Sequence, residues 1–298
     1  IKTSKKIQAS FIAIITVVLF FILSWYYVAL INNALREQTF LYLSEVGTRG
    51  ADLVESKVNN ELENLSTTSK LIEASGNFNQ AQMLSLLKVE AAEGNFKRMA
   101  IAFLNGDVLT SDGLAYNIAE RPYFKEAIKG QAAVSDTIND YTDNKPINVY
   151  AVPVFQGNQV VALVAASVET EKLKKYLEVG SFSNQGYSYI VKANGDAVVT
   201  SAHANSPGDF DNILELLKKA DLRSGDKLET IVANMAAGKS GSFTSYYGGL
   251  ERHTIYKPLA INDWYMMTVV PTAVVSTQTR QISWYSFMLI AAALLAMA

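Results

Sequence analysis

The chain has 298 residues, 49% of them apolar, and a formal charge of −2, enough for one or two globular units with real cores. A near-neutral balance without a long Lys/Arg run excludes nucleic acid as the main partner, because phosphate binding requires clustered positive charge. Two histidines and no cysteine leave no motif of zinc-site spacing and no disulfide to form.

In chain order, residues 7–31, "IQASFIAIITVVLFFILSWYYVALI", carry no charge over 25 positions. At about 1.5 Å per residue such a run crosses roughly 30 Å of hydrocarbon, so it reads as an uncleaved transmembrane helix. The competing secretory signal would have an apolar core of only about 7–15 residues. Lys2, Lys5 and Lys6 precede the run and place residues 1–6 in the cytoplasm. Near the other end, "ISWYSFMLIAAALLAMA" at 282–298 reads as a second, truncated span, with a tail anchor as the alternative. The segment between them then lies outside the cytoplasm, periplasmic or extracellular, on an inner or plasma membrane.

Residues 32–80 read as a stalk helix. Leu35, Phe40, Leu43, Val46, Val54, Val58, Leu62, Leu65 and Leu71 recur mostly three, four or seven apart, an apolar seam continuing from the first span. Such a seam suits pairing of two copies in a homodimer, and equally suits a helix lying on its own domain.

At Arg98 the period changes. "RMAIAFLNGDVLTSDG" reads as strand, turn on Asn105-Gly106-Asp107, and strand. "GQAAVSDTIND", "PINVYAVPVFQGN" and "QVVALVAASVE" follow as strands, and "TEKLKKYLEVG" as a helix ending at Gly180. The plan then recurs: "GYSYIVKANGDAVVTSAH" has Asn194-Gly195-Asp196 at its turn, "DNILELLKKADL" and "KLETIVANMAAG" read as helices, and "SGSFTSYYGG", "ERHTIYKPLA" and "WYMMTVVP" as closing strands. The expected fold is therefore α+β, with two hairpin-rich units in series, 81–178 and 179–275.

No constellation of catalytic residues stands out. His203 and His253 lie in different regions; "MAAGKSG" has Ala233 where a phosphate loop needs its first glycine; acidic pairs such as Asp140 with Asp143 read as solvated loop residues. This points to a binding module and not an enzyme, with no cofactor. One stretch does suggest binding chemistry, "AYNIAERPYFKEAIKG" at 115–130. Arg121 stands among Tyr116, Tyr123 and Phe124, where a planar cationic fork can grip a carboxylate. The alternative is an arginine lying on aromatics and pairing with Glu120 or Glu126.

"ERPYFKEAIKG", "NKPINVYAVPVFQGNQVVALVAASV" and "SGSFTSYYGGLERHTIYKPLAINDWYMMTVVP" resemble the double Cache (dCache) sensor domains of bacterial transmembrane receptors, above all methyl-accepting chemotaxis proteins. The resemblance implies two tandem PAS-like (Cache) units on a long helix, flanked by transmembrane helices. It also implies a homodimer and a ligand pocket in the membrane-distal unit. Tyr116 and Arg121 match the family's amino-acid pattern in spacing, with Tyr123 and Phe124 standing for its Trp-Tyr. They imply capture of a ligand carboxylate, from an amino acid or another small solute. At the opposite end the pattern implies Asp140, or Tyr141 after a one-residue slip, and Ser167, which stands where the family has an aspartate. A histidine kinase or diguanylate cyclase output, or contact with a solute-binding protein, are the alternatives.

Overall fold

The computed structural model describes residues 2–76, 79–94, 96–177, 184–223 and 225–274, with 284 and 288. Helix α1 runs Lys2–Ser75. The expected first span lies within it, but the side chains of 7–14 and 16–17 are outside the described residues, as is nearly all of 282–298. Among the described residues no helix is long and apolar enough to cross a membrane.

From residue 43 onward α1 is a spine. Leu43, Val54, Val58, Leu65 and Ile72 are buried at steps that keep them on one face. The expected Leu71 faces outward and its neighbour Ile72 takes the inner position, because one residue turns a helix by about 100°. The seam lies against the chain's own sheets. Helix α2, Gln80–Glu93, starts at Asn79, whose side chain accepts the N–H groups of Ala81 and Gln82, an ordinary cap.

The first unit contains β1 Arg98–Phe103, β2 Asp107–Thr110, β3 Ala115–Asn117, α3 Pro122–Ala127, β4 Ala133–Val134, β5 Ile138–Asn139, β6 Pro146–Gln156, β7 Gln159–Glu169 and α4 Glu171–Leu177. Its antiparallel sheet has the order β3-β2-β1-β7-β6-β4, with β5 also on β6. "GQAAVSDTIND" supplies only two short strands, interrupted at 135–137, where Ser135, Asp136 and Thr137 make side-chain contacts instead.

The second unit contains β8 Tyr187–Lys192, β9 Ala197–Val199, α5 Ile213–Leu217, β10 Asp221–Leu222, α6 Leu228–Ala236, β11 Gly241–Tyr247, β12 Leu250–Pro258 and β13 Trp264–Pro271. Its antiparallel sheet runs β10-β11-β12-β13-β8-β9. Strands β2-β1-β7-β6 thus match β9-β8-β13-β12 in order.

The duplication extends to atoms. Asn105 Nδ2 donates to Asp107 Oδ2 at 2.7 Å, and Asn117 Nδ2 donates to both Asn105 O and Asp107 Oδ1. In the second unit Asn194, Asp196 and Asn212 repeat each of these bonds. Gly106 and Gly195 sit at φ +86° and +89°, and a Cβ on either would meet Ala119 or Leu214 within 2.6 Å. Both turns therefore require glycine twice over, for conformation and for space.

Each sheet has an inner face on α1 and an outer face under short helices and loops. The inner faces share one core with α1 and α2, including Met99, Ile101, Tyr150, Ile190, Trp264 and Met266. Each such fully buried large side chain contributes about 1.5–3 kcal/mol relative to exposure. The outer faces form separate cores, one with Tyr123 and Phe124, the other with Tyr189, Tyr256 and Tyr265. The part of α1 near Gly47 and Gly50 meets Thr268 and Met266 of the second unit. Further along, Ser69 donates to Pro153 O, and Glu73 accepts the Phe155 N–H of the first. The first unit is therefore the one farther along α1 from its N-terminal end.

Candidate functional site

The outer face of the first sheet carries small side chains at its centre. Ala100 on β1 pairs with Ala165 on β7, which pairs with Ala151 on β6. Over this floor lies a cavity of about 200 Å³ bordered by Tyr116, Arg121, Tyr123, Tyr141 and Ser167, with Arg98, Asn117, Ile138 and Asn139. Five of the seven expected residues thus converge on one hollow.

Local sequence explains the placement of Arg121. It precedes Pro122, which disfavours helical backbone one residue earlier; Arg121 is extended, at φ −73° and ψ 132°, and caps nothing with its side chain. The two carboxylates that could have claimed it are taken: Lys125 pairs with Glu120 at 2.7 Å and Lys129 with Glu126 at 2.8 Å. Among the described residues Arg121 has no ion pair or side-chain hydrogen bond. It is exposed and borders the cavity as an uncommitted cation.

Around it stand phenols that keep their protons. Burial pushes the Tyr116 and Tyr123 hydroxyls above their ordinary range, and strongly so for Tyr123, so both are donors at any physiological pH. The Tyr141 ring, 80% exposed, stacks on Tyr116 with centroids 5.7 Å apart and forms a lip. Ser167 is buried, and its hydroxyl donates to Arg98 O at 3.3 Å.

Two expected residues lie behind the wall. Phe124 is 2% exposed within the outer-face core, because the short helix α3 turns Tyr123, Phe124 and Ala127 inward together. Asp140, expected to face the ligand, is enclosed. Its carboxylate accepts from Thr142 Oγ1 at 2.6 Å, the Thr142 N–H at 2.7 Å and Arg98 Nη1 at 3.0 Å, with Lys97 Nζ at 3.3 Å. Burial alone would raise its pKa, but the Thr142 and Lys97 hydrogen bonds and the Arg98 charge outweigh that and hold it down to about 2.

The residue that sequence reasoning missed is Arg98. It is 7% exposed, borders the cavity, and donates through Nε to Asp112 at 2.7 Å, through Nη1 to Asp140 and through Nη2 to Thr142 at 3.2 Å. The available signal was an arginine opening an otherwise apolar strand, since a buried charge demands partners.

On its other side Arg121 borders a second hollow, about 340 Å³, together with Asp136, Lys192, Asn262 and Asp263. Here the β4–β5 segment fastens the first unit to the second. Asp136 accepts from Lys192 Nζ at 2.9 Å and from Trp264 Nε1 at 2.7 Å, Thr137 donates to Val198 O, and Asn262 donates to Val134 O. The same segment supplies Ile138 and Asn139 to the cavity. The second unit has only about 20 Å³ in the corresponding place, beside Tyr187, Tyr189 and Arg252. Both histidines are engaged elsewhere: His253 meets Thr244 Oγ1 at 2.9 Å, and His203 stacks on Tyr187.

A family model described as a Cache domain, dCache_1, matches residues 31–279. Among solved structures, the ligand-binding domain of the Pseudomonas fluorescens chemoreceptor CtaA in complex with L-leucine superposes with a TM-score of 0.64 at 18% identity, covering 82% of this chain and 99% of that one. The ligand-binding domain of the Pseudomonas aeruginosa PAO1 amino acid chemoreceptor PctB with L-Arg gives 0.61 at 17% identity, covering 79% and 96%. That of PctC from the same strain, with GABA, gives 0.60 at 17%, covering 78% and 99%. No curated protein matches the sequence.

Proposed function

The chain belongs to the dCache family, and from that premise we propose that it is the extracytoplasmic sensing region of a bacterial chemoreceptor that binds a small carboxylate-bearing solute in its first unit. The observation that carries this is the uncommitted Arg121 guanidinium beside one buried and one half-buried phenol, Tyr123 and Tyr116, both protonated, over a cavity of about 200 Å³. Solved relatives of the same fold hold amino acids or GABA, which are carboxylates of this size.

In this reading Arg121 grips the carboxylate in bidentate fashion, and the Tyr116 and Tyr123 hydroxyls donate to it. Tyr141 and Ser167 meet the remainder of the ligand, Phe124 supports Tyr123 from behind, and Asp140 fixes Arg98. Residues 7–31 and 282–298 cross the membrane, the first unit is membrane-distal, and two copies pair along α1. Binding shifts signalling only by the difference in affinity between two conformations. The β4–β5 segment, which touches both the cavity and the second unit, is the route by which that difference travels.

The test is a thermal-shift panel of amino acids, organic acids, amines and purines on the whole chain in detergent. A ligand of the native state stabilises by about 2.7 kcal/mol at a hundredfold excess over Kd. Hits confined to carboxylates, weakened at least tenfold in Arg121→Ala, are the expected result. Shifts from amines or purines lacking a carboxylate, or an unaffected Arg121→Ala, would remove the reading.

A further inference from the structure

We infer that the first-unit cavity selects small carboxylic acids that carry no ammonium and present a hydrogen-bond acceptor at the end remote from the carboxylate. The inference rests on the carboxylate reading above and narrows its ligand class. The cavity border includes two arginines, Arg98 and Arg121, and neither Asp nor Glu. Of the acids nearby, the exposed Asp112 and the buried Asp140 are both turned onto Arg98, and Asp140 is further enclosed by Lys97 and Thr142. A ligand ammonium would therefore enter a partly desolvated hollow whose border holds no carboxylate, while the acids nearby are already paired with Arg98, an arrangement that desolvation opposes.

The neutral acceptors do not replace a charge. Asn117 Oδ1 already accepts the Ala119 N–H, and its amide is spent on Asn105 and Asp107. Ser167, paired in register with Arg98 across β1 and β7, contributes a hydroxyl committed to Arg98 O. Arg98 itself uses three of its five N–H donors on Asp112, Asp140 and Thr142, which leaves two on a group that borders the cavity. Asp140 is thus already neutralised within the chain, by Arg98 and Lys97. Beyond the neutral lone pairs of Ser167 and Asn139, what that end of the cavity offers is the charged donor Arg98, suited to a ligand hydroxyl, carbonyl or second carboxylate.

Calorimetric titration of the whole 298-residue chain in lipid nanodiscs at neutral pH, with acids matched in skeleton, decides the matter. The pairs are succinate with aspartate, lactate with alanine, and 4-hydroxybutyrate with 4-aminobutyrate. The expected result is that the member without nitrogen binds at least tenfold more tightly in every pair of which either member binds. An amino member that binds within tenfold of its partner, or more tightly, overturns the inference and leaves the carboxylate reading standing. If no carboxylic acid binds at millimolar concentration, both fall together. Ser167→Asp, checked for folding by circular dichroism, is expected to narrow the ratio severalfold by returning an anion to that end. An unchanged ratio would place selection elsewhere and defeat the assignment.

Discussion

Aligned on their Asn-Gly-Asp turns, the two sheets carry different side chains at the same three positions. Ala100, Ala165 and Ala151 form a row across the first, and Tyr189, Met267 and Tyr256 form the equivalent row across the second. In the second unit the phenols are also tied down, Tyr265 Oη donating to Met235 O at 2.9 Å and Asn234 Nδ2 to Tyr256 Oη at 3.1 Å. The first unit is hollow over its alanines and the second is filled. One backbone plan yields a receptacle or a solid core according to three residues on one face, since interiors leave few voids unless small side chains make them. The buried charges differ too: the first unit holds its arginine with two carboxylates, whereas Arg252 in the second rests on the carbonyls of Tyr247, Leu250 and Asn205.

The first test of that contrast removes the buried counter-charge. Asp140→Ala removes the buried one of the two carboxylates on Arg98, leaving it Asp112 and leaving Lys97 its Asp143, and is expected to cost about 2–3 kcal/mol, read by urea denaturation. Comparable in size, Met267→Ala should cost about 2–5 kcal/mol by opening a hole in the filled unit, without creating a ligand site. The converse, Ala165→Met, should abolish ligand binding by titration while leaving stability within about 1 kcal/mol, because the added atoms enter open space.

Acid gives a smaller and more local effect. Asp140 titrates near 2 in the fold against an ordinary 3.8, so its stabilisation is complete above about pH 4 and is lost as the pH falls through about 2. The shift corresponds to about 2 kcal/mol. The second unit buries no carboxylate among the described residues. Hydrogen exchange at pH 3 should therefore show β1 and β7 losing protection before β8 and β13; the reverse order would contradict the charge contrast.

Much of this was legible in the chain where the cause was local. The seam of α1 follows from spacing, the hairpins from two Asn-Gly-Asp turns, and the repeat from their recurrence. Arg121 was visible because its aromatic neighbours and its proline adjoin it in sequence. Arg98 was not, because Asp140 lies 42 residues along the chain, and even Asp112, at the far end of the same hairpin, reaches it only once β1 and β2 have paired. For the same reason Asp140, which is merely acidic in a loop by sequence, could not be told from a ligand contact. The inward turn of Phe124 depends on the brief helix α3, whose signal is shorter than the periods that sequence patterns detect.

The spine α1 also has a consequence for the order in which the molecule is made. Its inner face is finished first, yet the stretch around Ser69 is covered only when β6 appears. The stretch around Gly50 waits for Met266 on β13, roughly 200 residues later. At about 5–20 residues per second that interval is some 10–40 s, during which Leu43, Val46 and Val54 stand bare on a nascent helix. A face that is buried in the finished protein is thus one that ribosome-bound chains expose for long.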